Sequence, residues 1–177
     1  FGADYFDELL ERIRDIRASE KRVYLKVRDI FATSIDYDPK SEAAEIFFKT
    51  VQNKLHYSVH GHTAAELILE RADAAKDNMG LTTFKGAKVR KSDVTIAKNY
   101  LNKDEIENLN RVVTMYLDYA EDQAKQHIPM YMNDWEEKLN AFLKFTGREV
   151  LDNPGSISKE IADTLARKQY DLFEAHR

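Results

Sequence analysis

The chain has 177 residues, 43% of them apolar and 33% charged, with 6 Gly, 3 Pro and no Cys. This composition fits one globular domain over residues 1–177 and excludes a disordered chain, a disulfide scaffold, thiolate metal sites and a cysteine nucleophile. A net charge of −4 argues against nucleic-acid binding over the whole surface but leaves room for a local basic patch.

The chain opens Phe1-Gly2-Ala3 without Met or a signal-peptide pattern, which predicts a piece of a longer protein. No apolar run approaches the roughly 18 residues that a membrane span needs. From residue 5 to 34, Leu9, Ile13, Ile16, Val23, Val27 and Ile30 recur at spacings of three and four, with Glu20 among them. That stripe predicts one long helix that lies along a bundle, pairs with a second copy, or does both. Asp38-Pro39 predicts the start of a second helix, with Asp38 as cap and Pro39 at the first helical position. Its stripe is Ala44, Phe47, Phe48, Val51, Leu55 and Val59, and Gly61 ends it. Thr63-Ala64-Ala65-Glu66 reads as a capping box for a third helix running to about Lys76.

Residues 77–93 form the one long stretch without helical periodicity. Lys85-Gly86 between Leu81-Thr82-Thr83-Phe84 and Ala87-Lys88-Val89-Arg90 predicts an irregular loop or a small β-hairpin near residues 78–92. A short helix is expected from Val94 to Tyr100, capped by Ser92 or Asp93. Asn102 and Glu105 form another capping box before a long helix over about 103–127, which Pro129 ends. Asn133 and Glu136 predict the cap of a helix ending near Gly147, and Ser156 opens the last one. The expected fold is all-α, a bundle of about seven helices with one irregular insert.

Three groups of side chains could carry chemistry. His56 and His60 stand four apart on a helix, as two metal ligands do, and the next turn could bring His62 and Glu66 round. Projection puts both histidines on the polar face beside Lys49, Gln52 and Asn53, so solvated or interface histidines are the plainer reading. Asp118, Glu121 and Asp122 on the long helix could hold Mg²⁺ for phosphodiester chemistry. They also project opposite the apolar face, near Arg111 and Lys125, as a salt-bridged surface would. Lys85, Lys88, Arg90 and Lys91 crowd the irregular segment with Phe84 among them, no acid before Asp93, and Lys98 following. Cations and an aromatic on one loop could hold a phosphate backbone and stack a base. Arg71, Asp73 and Asn99 read as structural polar anchors. No cofactor motif is present, and a divalent metal is the one group the side chains could take.

Several stretches together resemble one family: Phe48–His56, Thr63–Glu66, Glu70–Ala74, Lys88–Thr95, Ala97–Leu101, Leu117–Ala124 and Asp134-Trp135. They look like the C-terminal half of bacterial RhuM-family virulence-associated proteins, whose complete members carry an N-terminal part resembling a DNA-binding module. The resemblance implies a bacterial cytoplasmic protein of virulence islands or mobile elements and implies no established reaction, so no catalytic residues carry over. Three function classes follow. The chain is a binding and assembly domain that self-associates through residues 5–34 and supports nucleic-acid binding by the full-length protein, a metal-dependent phosphodiesterase, or a protein-only scaffold.

Overall fold

A computed structural model describes residues 2–19 and 23–177, with the side chains of residues 23 and 24 left aside. Among the described residues there are seven α-helices and no strand: α1 (Ala3–Ala18), α2 (Val23–Phe31), α3 (Glu42–His60), α4 (Ala64–Arg71), α5 (Lys103–Lys125), α6 (Met132–Phe145) and α7 (Lys159–His176). No helix among them is long and apolar enough to cross a membrane. The chain divides into two compact units, residues 1–52 with 107–150 and residues 53–106 with 151–177.

The first unit is built on α1, α2, the start of α3, most of α5, and α6. The single helix expected over 5–34 is instead two. Ser19 is extended (φ −68°, ψ 149°), and α1 ends there. Glu20, in the middle of the expected stripe, lies outside the described residues. Leu9, Ile13, Ile16, Val27 and Ile30 are all buried, because α1 and α2 each turn the same apolar face inward and pack on one another. The core continues through Phe31, Val112, Tyr116, Trp135, Leu139 and Leu143. Phe31 meets Phe47 and Trp135 edge-on, at centroid distances of 5.1 and 6.0 Å. Tyr116 Oη donates to the Trp135 carbonyl at 2.6 Å, and burial pushes its pKa well up. A buried phenol needs such an acceptor, since losing its water without one is costly.

Local chemistry moves several helix starts from where the sequence puts them. Asp38 accepts the Lys40 N–H and makes a turn, while the Ser41 hydroxyl accepts the Ala44 N–H, so α3 begins at Glu42. Tyr131, not Asn133, caps α6, with the Asp134 carboxylate accepting the Tyr131 N–H. Ser158, not Ser156, caps α7. The Asn102–Glu105 box forms as expected, with both bonds at 2.9 Å.

The second unit is built on the end of α3, on α4 and α7, and on residues 72–102. Ala162 and Ala166 are buried on the α7 face that packs against α4, where small side chains allow close approach. The third helix, expected to reach Lys76, stops at Arg71. There Asp73 N–H turns to the Met79 carbonyl and its carboxylate accepts the Ala75 N–H. The chain then passes through three left-handed residues, Asn78 (φ 52°), Met79 (φ 60°) and Gly80 (φ 86°). This turn inserts Met79 fully into the core. A left-handed non-glycine residue costs about 1–2 kcal/mol, which burial of the Met79 side chain offsets.

Gly80 runs directly beneath the Arg71 carbonyl, and any Cβ there would collide with that oxygen. Gly86 is also left-handed (φ 75°), but its nearest neighbour would be the Arg90 guanidinium, 3.5 Å from a Cβ. Gly86→Ala should therefore cost about 1–2 kcal/mol. Gly80→Ala should cost on the order of 3 kcal/mol or more, because backbone must move. Urea midpoints of the two variants, compared on one day and in one buffer, check the order.

Candidate nucleic-acid interface

The sequence allows a hairpin near residues 78–92, but the two arms do not pair with each other. Thr82 and Thr83 N–H both donate to the Asn99 carbonyl, at 2.7 and 3.3 Å, and the Thr82 hydroxyl donates to the Leu101 carbonyl at 2.5 Å. On the other arm Arg90 N–H donates to Asp93 Oδ2 at 2.8 Å, and Lys85 N–H to Asp93 Oδ1 at 3.4 Å. Each arm finds its partners in the segment that follows, so no strand ladder forms. The short helix expected over 94–100 is reduced to 3-10 turns at Lys91–Asp93 and Ala97–Tyr100.

Two buried polar side chains fix this loop. Asp93 is 3% exposed and directs its carboxylate to main-chain N–H groups. Asn99, 6% exposed, donates from Nδ2 to the Asp93 carbonyl at 3.0 Å and supplies the carbonyl that holds Thr82 and Thr83. Tyr100 closes the same layer, its hydroxyl donating to the Val94 carbonyl at 2.6 Å, and burial raises its pKa. Arg71 adds a further tie. Its Nη1 donates to the Tyr100 carbonyl and Glu105 Oε1, and its Nη2 to Glu105 Oε2, at 3.0, 2.5 and 2.7 Å. That two-pronged bond lowers the Glu105 pKa. Asp73 holds the turn after α4 and takes no part in this loop's frame.

On this frame Lys85, Lys88, Arg90 and Lys91 are exposed and Phe84 is half-buried. Lys91 reaches Asp171 at 3.4 Å, a solvent-exposed pair of little strength. Lys98 is half-buried, so it is set apart from the exposed cations. The residue that sequence reasoning undervalued is Asp93. It reads as an ordinary helix cap, and its role in gathering Lys85 and Arg90 depends on a closure reaching back eight residues that periodicity does not reveal.

The histidines lie elsewhere in the second unit; His56 is buried where its helical projection suggests a solvated face, while His60 and His62 are half-buried. His56 is 1% exposed, and its Nδ1 lies 2.9 Å from His60 Nε2. Burial, then the neighbouring His60, lowers the His56 pKa to about 3; burial likewise lowers His60 to about 4, against the opposing pull of Glu105. His62 pairs with Glu70 at 2.6 Å instead of joining them. Glu66 faces the cap of α4 and Ser156, whose hydroxyl is the main cause of a carboxyl pKa of about 2. In the first unit, Arg17 spans Asp118 and Glu121 at 2.6 and 2.9 Å, Lys125 approaches Glu121 at 3.4 Å, and Asp122 accepts from Gln126. The acidic group is therefore neutralised chiefly from α1, not by Arg111. Among the described residues no group of three or more His, Asp or Glu side chains is placed to hold a metal ion.

The virulence protein RhuM family model matches residues 1–177, the whole chain, and the chain belongs to that family. No curated protein and no solved structure matches it.

The histidine pair generates a pH dependence. Both imidazoles stay neutral in the fold well below pH 6.5, whereas the unfolded chain takes up protons near that value. The unfolded state then binds more protons, so stability is complete above about pH 6.5 and falls as pH drops toward the folded values. For His56 alone the slope is about 1.4 kcal/mol per pH unit where the proton difference is one. Glu66 and Glu105, with lowered values, add their own loss only below about pH 4.5, and Arg71 stays charged throughout. Urea unfolding at pH 7, 6 and 5 should show the fall, and His56→Asn should flatten it between pH 6.5 and 5.

Proposed function

We propose that this RhuM-family chain is a binding domain whose basic loop, residues 84–91, meets the phosphate backbone of a nucleic acid and so supports nucleic-acid binding by the protein of which it is part. The observation that carries the reading is the way the loop keeps its charges free. Lys85 and Arg90 give their main-chain N–H groups to the buried Asp93, while their side chains, with that of Lys88, stay exposed. No ion pair among the described residues engages these three cations. A backbone ordered before binding loses less conformational entropy when it meets a ligand. With an overall charge of −4, attraction to a polyanion has to come from a local patch such as this one.

The acidic group on α5 offers less to phosphodiester chemistry, since Arg17 already spans two of its carboxylates. The stripe over residues 5–34 offers less to a second copy, since its described apolar side chains are buried in the first unit's own core.

Charge reversal tests the proposal. Lys88→Glu with Arg90→Glu should weaken binding to a mixed-sequence oligonucleotide at least tenfold in low salt. It should also reduce the slope of log affinity against log salt by about one to two, one for each phosphate no longer neutralised. Fluorescence anisotropy from 50 to 200 mM NaCl gives both quantities. An unchanged affinity and slope would remove the loop from the interface.

A further inference from the structure

We infer that the basic loop is built for single-stranded nucleic acid in preference to duplex, an inference that rests on the phosphate-binding reading of the same loop. It starts from Phe84. This ring is half-buried, sits one residue before Lys85, and stacks on no ring of any described residue. A phenyl group that only fills core space is normally covered by its neighbours, as Phe31 is by Phe47 and Trp135. The segment that bears Phe84 is held on both sides, by Thr83 N–H on the Asn99 carbonyl and by Lys85 N–H on Asp93. The backbone that carries the ring is therefore ordered. Gly86, left-handed at φ 75°, turns the chain immediately afterwards, and the Arg90 guanidinium lies near it, so the loop carries its cations on both sides of this turn in the sequence stretch that bears Phe84.

This pairing of groups has a specific consequence. Cations alone attract either form of nucleic acid, and a duplex, with its higher charge density, the more strongly. A duplex hides the faces of its bases in the stack and offers only their edges in the grooves. An aromatic ring beside the phosphate path gains stacking energy only from a base whose face is open, and every base has such a face once the strand is single. Phe84 is then the selectivity-determining residue, Lys85, Lys88 and Arg90 supply sequence-independent attraction, and Asp93 and Asn99 are positioning residues. The recognised chemistry is an unstacked base next to phosphate, which single-stranded DNA and single-stranded RNA share.

Three labelled 20-mers of one mixed sequence test the inference on the whole chain: single-stranded DNA, single-stranded RNA and duplex DNA. At 50 mM salt at least one single strand should bind at least fivefold more tightly than the duplex, and the better of the two identifies the sugar. Phe84→Ala should weaken single-strand binding about five- to hundredfold while leaving duplex affinity and the salt slope as they were. Phe84→Tyr should retain the single-strand affinity, which separates stacking from loss of fold; the urea midpoint of Phe84→Ala is the second control. Equal affinity for all three oligonucleotides, or an equal effect of Phe84→Ala on duplex and single strand, would overturn the inference and leave the phosphate-binding reading in place. Failure of the unaltered chain to bind any of the three would overturn both.

Discussion

Asp93 is a buried carboxylate whose oxygens are met by main-chain N–H groups, and the course of residues 85–93 follows from that one requirement. Taking an ionised carboxylate out of water is expensive unless hydrogen bonds replace its hydration. The chain meets this need by folding back twice, at Lys85 and at Arg90, and Asn99 separately holds the Asp93 main-chain carbonyl. Had the two cations supplied their side chains instead, their charges would be neutralised inside the loop. Because they supply only backbone, the same interaction that orders the segment also leaves it electropositive outside. Structure and surface charge are here two results of one choice of donor.

What the sequence reveals about this fold is what depends on neighbours a few residues apart. The Asn102–Glu105 box, the amphipathic stripes and the terminating Gly61 and Gly147 are of this kind, since capping and periodicity act within one or two turns. The break at Ser19 was not legible, because two helices that pack on one another and bury one face present the same spacing as one long helix. The absence of a hairpin was not legible either. Thr82 and Thr83 have the residue type for a strand, but Asn99, sixteen or seventeen positions on, takes their N–H groups in place of the nearer arm. The proposed site was half legible: its cations and Phe84 stand together in the sequence and Asn99 reads as a polar anchor, whereas Asp93 looks like an ordinary helix cap and the groups that Asn99 holds are not visible.

The burial of His56 shows the same limit from another side. The C-terminal half of α3 has an amphipathic pattern, which ordinarily means one wet face. In the second unit that face is covered as well. Lys54 is 6% exposed and donates to the Leu151 carbonyl at 2.8 Å, while His56 is paired with His60 within reach of the field of Glu105. A helix gripped on two sides accepts polar residues at buried positions provided that each finds a partner, and the Lys54 partner is far away in sequence. Arg17 likewise finds its partners far along the chain, in carboxylates 101 and 104 residues away.

Glu66 ties the fold to the order in which the chain is made. One of its carboxylate oxygens completes the cap of α4, and the other receives the N–H and hydroxyl of Ser156, 90 residues later. Between them in sequence lies the whole of 107–150, which belongs to the other unit. At a synthesis rate of about 5–20 residues per second, α4 waits on the order of ten seconds for Ser156, and longer for the alanines of α7 that cover it. During that interval α4 has the turn at Ala97–Tyr100 to pack on but not α7, and the first unit's last helix, ending at Phe145, is made before α7. A nascent chain of this topology thus passes through a stage in which one unit can close and the other cannot, and that stage is when a chaperone has a surface to hold.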